Sequence, residues 1–391
     1  MDVAAVPDDR KRSGGGDRNS SRKTGSWDTE SVFDSARYYF DSMLEGIDRA
    51  RESIELVVYI FELDETGSAF KQRLQAAAQR GVAVRILVDG VGSARSADLL
   101  AEQLTAYGAE FHIFRPLPWY WNSYRWSLRR GSWLQKFWYF FNSANRRDHR
   151  KFMVVDGKRA WCGNLNLCDD HLEGHQPPWR DYGVCVEGRA IRSLRTNFDQ
   201  VWREVEGRVG LGDFQLCLSN VSLRMRWVRN RWTAASIRRA RQRVWVCAAY
   251  FAPSGPIIRA LRAARKKNID VRLIVAGRSD VTLFPLLTST YYADLLKMGV
   301  RIYQYERGVL HAKVLLVDGE CVIGSSNFNH RSFYHDLELD IVLSRPESLR
   351  QMESWLQRDM EASHVVDGKD VSLLSRSFWL GWLPRLIRYW M

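Results

Sequence analysis

At 391 residues the chain has room for two domains of ordinary size, and 58 Lys and Arg against 45 Asp and Glu leave a net charge of +13. A surplus of that size implies an anionic partner, nucleic acid or an acidic membrane surface, and sixteen tryptophans tilt the choice toward a membrane interface. No run reaches the roughly 18 apolar residues of a spanning helix, and the N-terminus has no apolar signal core, so the expectation is a protein that lies on a membrane without crossing it.

Residues 1–27 are rich in Asp, Arg, Ser and Gly, the composition of a disordered, solvated tail. A first half is expected over 28–210. Apolar positions Tyr38, Tyr39, Met43, Leu44 and Ile47 recur at helical spacing between Ser35 and Arg51. A buried strand follows over Ser53–Phe61, a helix over Gly67–Arg80, a strand over 81–90, a helix near Ser96–Tyr107, and a strand leading to Phe114. Strand, helix, strand at this spacing implies right-handed parallel crossovers in an α/β sheet. A second half over 211–365 repeats the plan: strand Arg243–Phe251, helix Gly255–Lys266, strand Ile269–Val275, helix Tyr291–Met298, strand Val300–Tyr305. The predicted fold class is therefore α/β, two similar halves, each a mixed and mostly parallel sheet flanked by helices.

Two blocks depart from this plan. The first half takes 35 residues from Phe114 to His149 where the second takes six from Tyr305 to His311, so about 29 residues are inserted, within 116–145. The insertion interleaves Trp119, Trp121, Trp126, Trp133 and Trp138 with Arg125, Arg129, Arg130 and Lys136, the pattern of interfacial amphipathic helices, a packed helical pair being the bland reading. The C-terminal segment 366–391, from Phe378 to Trp390 above all, is similar in kind and is expected to associate with the membrane or to pack as a last helix. Six cysteines, Cys162, Cys168, Cys185, Cys217, Cys247 and Cys321, lack metal-ligand spacing and several lie in apolar runs, so buried reduced thiols are expected.

One text occurs twice. His149-Arg150-Lys151, an apolar run, Asp156-Gly157 and then Gly163-Asn164-Leu165-Asn166 returns 162 residues later as His311-Ala312-Lys313, an apolar run, Asp318-Gly319 and Gly324-Ser325-Ser326-Asn327. An apolar run ending in Asp-Gly before a second short run reads as a β-hairpin. Alternation along a strand puts His149 and Lys151 on one face and Arg150 on the other, so each copy offers an imidazole and an ammonium to a phosphate. A lone His-x-Lys is noise; two copies with the same Asp, Gly and Asn downstream are a duplicated catalytic element.

The repeated His-x-Lys-x4-Asp, each followed by Gly-x-x-Asn, resembles the signature of the phospholipase D superfamily. Within it the chain is most similar to bacterial cardiolipin synthases of the short, B-like group lacking N-terminal transmembrane helices, over about residues 30–365, and the resemblance implies an active site between the two halves. Cleaving a phosphodiester without metal needs a nucleophile, a proton donor and positive charge on the non-bridging oxygens. Two histidines divide the first two roles, imidazole attack gives a phosphohistidine, and Lys151, Lys313, Asn166 and Asn327 supply the oxygen-binding donors. The resemblance implies His149 as nucleophile and His311 as general acid; the sequence alone leaves that order open. It also brings Asp156 and Asp318 into the catalytic motif set, whereas their turn position, seven residues past each histidine, makes them holders of the hairpin. Asp181 and Glu338 occupy matching places in the halves, and relatives carry acids there that orient the histidines.

Other residues weigh less. Arg331 and Ser332 follow Asn327 in a run that resembles the synthase pattern, with anchoring of the loop as the alternative. His171, His175, His330 and His335 lack repeated spacing and are expected on the surface or in loops, and no repeat supports Arg278, Ser279 or Asp280. No metal and no cofactor is expected, and phosphate-binding glycine motifs are absent where strands meet helices. The implied reaction is phosphatidyl transfer between glycerophospholipids. Phosphatidylglycerol is the implied donor and acceptor, with phosphatidylethanolamine or free glycerol as other choices, at the cytoplasmic face of a bacterial inner membrane. A phospholipase D hydrolase giving phosphatidic acid is the nearest alternative. A nuclease fits the clustered aromatics poorly, so no nucleic acid partner is expected, and a non-catalytic scaffold fits two intact motifs poorly.

Overall fold

A computed structural model describes residues 26–116, 146–172, 174, 179–203 and 216–370. The tail expected over 1–27 falls largely on 1–25, the Trp-rich insertion on 117–145, and most of the C-terminal segment on 371–391; these, with His175, lie outside the described residues.

The first half begins with β1 (Thr29–Phe33) and α1 (Ala36–Arg49), then runs β2 (Ser53–Val58), α2 (Glu65–Gln79), β3 (Ala83–Asp89), α3 (Ala97–Thr105) and β4 (Glu110–Phe114). After the insertion come β5 (Phe152–Val155), β6 (Arg159–Gly163), β7 (Trp179–Arg180), β8 (Gly183–Glu187) and α4 (Ile191–Trp202). The second half comprises β9 (Cys217–Ser219), α5 (Leu223–Arg239), β10 (Arg243–Ala248), α6 (Gly255–Lys266), β11 (Asp270–Arg278), α7 (Phe284–Ser289), α8 (Tyr292–Lys297) and β12 (Arg301–Leu310). It closes with β13 (Lys313–Val317), β14 (Glu320–Gly324), α9 (His330–Tyr334), β15 (Leu339–Leu343), α10 (Pro346–Glu361) and β16 (Ser363–Val365).

Two sheets result, in the orders β1-β8-β6-β5-β2-β3-β4 and β16-β12-β11-β10-β13-β14-β15-β9. The α/β class holds and both sheets are mixed, but they are not mostly parallel. Only β2-β3-β4 and β10-β11-β12 are parallel along these orders, joined by helical crossovers; the neighbouring ladders, the motif hairpins among them, are antiparallel. A hairpin reverses the chain within a few residues and can only close an antiparallel pair, so each motif copy adds antiparallel strands to a parallel core.

Alternation decides where each strand residue goes. Ile54, Leu56 and Val58 of β2 join the core under α1, α2 and α3, and Val244, Val246 and Ala248 of β10 join the core under α5 and α6. The residues between them, Val57 and then Trp245 and Cys247, face a shared central cluster with Phe152, Val154, Val314 and Leu316. Both motif hairpins therefore lie against one continuous apolar interior, which fixes the halves relative to each other. All six cysteines are free and buried.

The boundary at residue 27 needs correction. Trp27, assigned to the tail, is buried and donates its indole N–H to the Val342 carbonyl at 3.0 Å, while the Glu30 carboxylate accepts from the backbone N–H groups of Ser344 and Arg345. An indole is too large an apolar body to leave in water when a core face and a carbonyl are within reach.

Candidate active site

Each motif histidine is pinned by the opposite half. The His149 backbone N–H donates to the Leu337 carbonyl at 3.0 Å, and the His311 backbone N–H donates to the Arg180 carbonyl at 3.0 Å. Arg150 points away from His149, as alternation requires, and is fully buried on Asp148 and Asn197. His149 and His311 line one cavity of about 330 Å³, with Tyr59, Asn166, Trp179, Tyr250, Asn327 and Arg331 among its walls.

The orienting acids cross over as well. His149 Nδ1 lies 3.0 Å from the Ser325 carbonyl and 3.2 Å from Glu338 Oε2, both in the second half. His311 Nδ1 lies 2.9 Å from Asp181 Oδ1, in the first half. A carbonyl or carboxylate oxygen accepts, so the proton of each neutral ring sits on Nδ1 and the lone pair on Nε2. Burial works to raise Asp181, but the imidazoles of His311 and His171 outweigh it and hold the carboxyl well below the usual range. Burial likewise opposes ionisation of Glu338, and His149 with the Ser325 and Ser332 hydroxyls outweighs it, so that carboxyl is also lowered. His311 itself is held below the ordinary imidazole value, first by burial and further by the Lys313 ammonium, against the pull of Asp181.

Behind each acid stands one more group, and here the expectation for His171 was wrong. Its side chain is fully buried; Nδ1 meets Asp181 Oδ2 at 2.7 Å and Nε2 accepts the Asn166 backbone N–H at 3.1 Å. In the other half Ser332 takes the same place. Its hydroxyl donates to Glu338 Oε1 and accepts the Asn327 backbone N–H at 3.1 Å. Two circuits of histidine, acid, polar group and asparagine N–H thus run in parallel, one closed by an imidazole and the other by a hydroxyl. Because the closing residues differ in type, the repeat gave no signal for His171. His171, Asp181 and His311 bring their ligand atoms within 4.8 Å of one another, the one such cluster among the described residues. The His171 ring nitrogens are both occupied by these hydrogen bonds, so the three form a hydrogen-bonded chain and not an open cation site.

The lysines stand beneath the histidines. Lys151 Nζ donates to the His149 carbonyl at 2.9 Å and Lys313 Nζ to the His311 carbonyl, each over a tyrosine ring, Tyr59 and Tyr250. Burial, helped by the neighbouring Lys313, pushes Lys151 down to about 7, and burial also lowers Lys313. Asn166 and Asn327 both line the cavity, and the side-chain oxygen of Asn166 accepts from the Ile60 N–H at 3.3 Å.

Asp156 and Asp318, carried in the motif set, do not reach the cavity. Asp156 accepts backbone N–H bonds from Arg51, Glu52 and Ser53, and Asp318 accepts from Arg241, Gln242 and Arg243. Both residues have left-handed backbone, φ 51° and 47°, and each carboxylate ties the hairpin turn to the start of β2 or β10. Asp280, which no repeat supported, does line the cavity and accepts the Tyr250 hydroxyl. Arg331 lines it too, paired with Asp336 at 3.0 Å, whereas His330 and His335 are half-buried and outside its lining.

A family model described as "Cardiolipin synthase, PLD-like domain" matches residues 43–202 and 234–360. The chain belongs to this family. Its relatives include a protein named cardiolipin synthase from Geobacillus kaustophilus (strain HTA426), 31% identical over 84% of this chain and 65% of that one. Cardiolipin synthase A of Pseudomonas putida (strain W619) is 30% identical over 90% of this chain and 72% of its own. The chain spans slightly less than two-thirds of the Geobacillus relative's length. Solved structures of similar fold include a phosphatidylserine synthase of Haemophilus influenzae Rd KW20, with TM-score 0.64 and 14% identity, covering 93% of this chain and 95% of that one. A polyphosphate kinase of Porphyromonas gingivalis has TM-score 0.56 and 14% identity, covering 84% of this chain and 50% of that one.

Proposed function

We propose that this phospholipase D-like enzyme is a cardiolipin synthase, transferring a phosphatidyl group from one glycerophospholipid, phosphatidylglycerol first, to the glycerol hydroxyl of another. The observation that carries the reading is the pair of imidazoles from opposite halves on one cavity, each with its Nδ1 held by an acid. In the first displacement His149 Nε2 attacks phosphorus, the bond to the head-group oxygen breaks, and His311 gives that oxygen a proton. In the second, the acceptor hydroxyl gives its proton to His311 and attacks the phosphohistidine, breaking the P–N bond and releasing cardiolipin.

Burial holds His311 below the ordinary imidazole value, which suits the second step, where it acts as a base. A phosphodiester anion in the cavity raises the proton affinity of a neighbouring imidazole, which is the state the first step needs. Lys151 and Lys313, with Asn166 and Asn327, hold the non-bridging oxygens. Attachment of the protein is peripheral, at the cytoplasmic face of the membrane; no described helix is long and apolar enough to cross one.

Incubating the purified protein with phosphatidylglycerol vesicles and a chelator, and resolving the lipid products, tests this reading. Cardiolipin plus glycerol is the expected result. Phosphatidic acid alone makes the protein a hydrolase, and no turnover of any lipid refutes the proposal.

A further inference from the structure

We infer that the outer face of the α5–α6 helix pair is a docking surface for an anionic lipid bilayer. The inference rests on the lipid-transfer reading for its choice of a bilayer over other polyanions. α5 packs beside α6, their apolar sides Ala234, Ile237, Ile257 and Leu261 covering the second sheet. Together the two helices carry ten Lys and Arg and no Asp or Glu. Some of these are used internally: Arg229 is buried on Asp340, and Arg226 donates to the Tyr334 and His335 carbonyls. Arg224, Arg231, Arg238, Arg259, Arg262 and Lys266 remain exposed on the outside. A helix pair that needs only solvation mixes its charges; one sign alone raises the local concentration of an anionic surface.

The charge surrounds an apolar anchor. Leu223 is 82% exposed and Trp227, one turn on, is 59% exposed, with the Arg231 guanidinium 4.5 Å from the Trp227 ring. Leu with Trp at i and i+4, flanked by arginines, is the composition of an interfacial helix, whose apolar pair enters the acyl boundary while the arginines stay at the headgroups. The position is also right. Asn220, just before α5, donates to the Ser332 and Asp336 carbonyls, and both of those residues line the catalytic cavity. Val221 accepts from Arg146, where the chain returns from the Trp-rich insertion. The anchor therefore stands at the end of α5 nearest the cavity.

The test is flotation of the full chain with vesicles of phosphatidylglycerol and phosphatidylcholine, or of phosphatidylcholine alone, comparing wild type with R224A/R231A and with L223S/W227S. Each arginine near an anionic leaflet is worth about fivefold in partitioning, so R224A/R231A should bind anionic vesicles about 30-fold more weakly and neutral vesicles unchanged. L223S/W227S should weaken on both. All substituted positions are exposed, so thermal unfolding midpoints should match wild type. Turnover of short-chain monomeric phosphatidylglycerol should not change in either variant. Anionic-vesicle affinity within twofold of wild type in both variants would overturn the inference, as would preferential binding of wild type to DNA lost in R224A/R231A. Vesicle binding that depends on this face without turnover of any lipid leaves the docking surface standing and removes the synthase reading; turnover with face-independent binding does the reverse.

Discussion

Replacing Asp156 separates a structural aspartate from a catalytic one. Its carboxylate accepts from Arg51 at 3.1 Å, Glu52 at 2.7 Å and Ser53 at 3.0 Å, and its own backbone is left-handed. These donors lie near the surface and can turn to water, so each lost bond costs about 0.5–1 kcal/mol rather than its full buried value. A β-carbon without a compensating side chain in the left-handed region costs about 1 kcal/mol more. Asp156→Ala should therefore lose about 2.5–4 kcal/mol, Asp156→Gly somewhat less because its backbone is at ease there, and Asp156→Asn least, about 1 kcal/mol. Partial burial works to raise this carboxyl, but the three N–H groups outweigh it and lower its pKa. Its contribution is thus complete above the ordinary carboxylate range and fades as pH falls through the lower folded value, so wild type and Asp156→Ala should converge in acid. Urea unfolding gives the stabilities, and lipid turnover per folded molecule should stay within a few-fold of wild type. If Asp156→Asn unfolds at the wild-type midpoint yet loses more than a hundredfold of turnover, the aspartate acts in the chemistry and the reasoning fails.

The crossed acids give a second outcome: Glu338→Gln should impair attack by His149, and Asp181→Asn both displacements, since His311 gives a proton in the first and takes one in the second. Rapid-quench detection of the phosphoenzyme should show slow formation in the first variant, and both slow formation and slow decay in the second; unchanged decay in Asp181→Asn would contradict the division of roles. For His171, Ser and Phe substitutions are to be compared through the pH profile of turnover. Phe leaves the second Asp181 oxygen without its imidazole donor, concentrates charge toward His311 and should move the limb that reports His311 to higher pH, while Ser, the group found at 332, should restore much of the wild-type profile; superimposable profiles would make His171 a packing residue only. Lys151, lowered to about 7, binds its proton less tightly than in the unfolded chain, so its penalty is full below that value and fades as pH rises toward the ordinary lysine value. Lys151→Met should lose turnover yet gain stability over wild type at pH 6, with the gain shrinking by pH 10 in urea titrations; an equal difference at both pH values would show that the lysine is not titrating there.

The sequence by itself determined the duplicated motif, the alternation that puts His149 with Lys151 and Arg150 opposite, and the parallel crossovers, because each is a local period or a repeat within one stretch of chain. It also placed the hairpin aspartates, since an Asp-Gly turn at an odd offset from the histidine is readable without knowing what it ties down. Only the tertiary structure decided which acid serves which histidine. Glu338 lies 189 residues from His149 in the chain, and the contact exists because the two sheets share one core. The same packing buried His171 against Asp181, where nothing in its sequence neighbourhood marked it, and drew Trp27 out of the tail onto Val342. Periodicity reports which face of an element is apolar; which element another half brings to that face is set by packing over distances that no local pattern records.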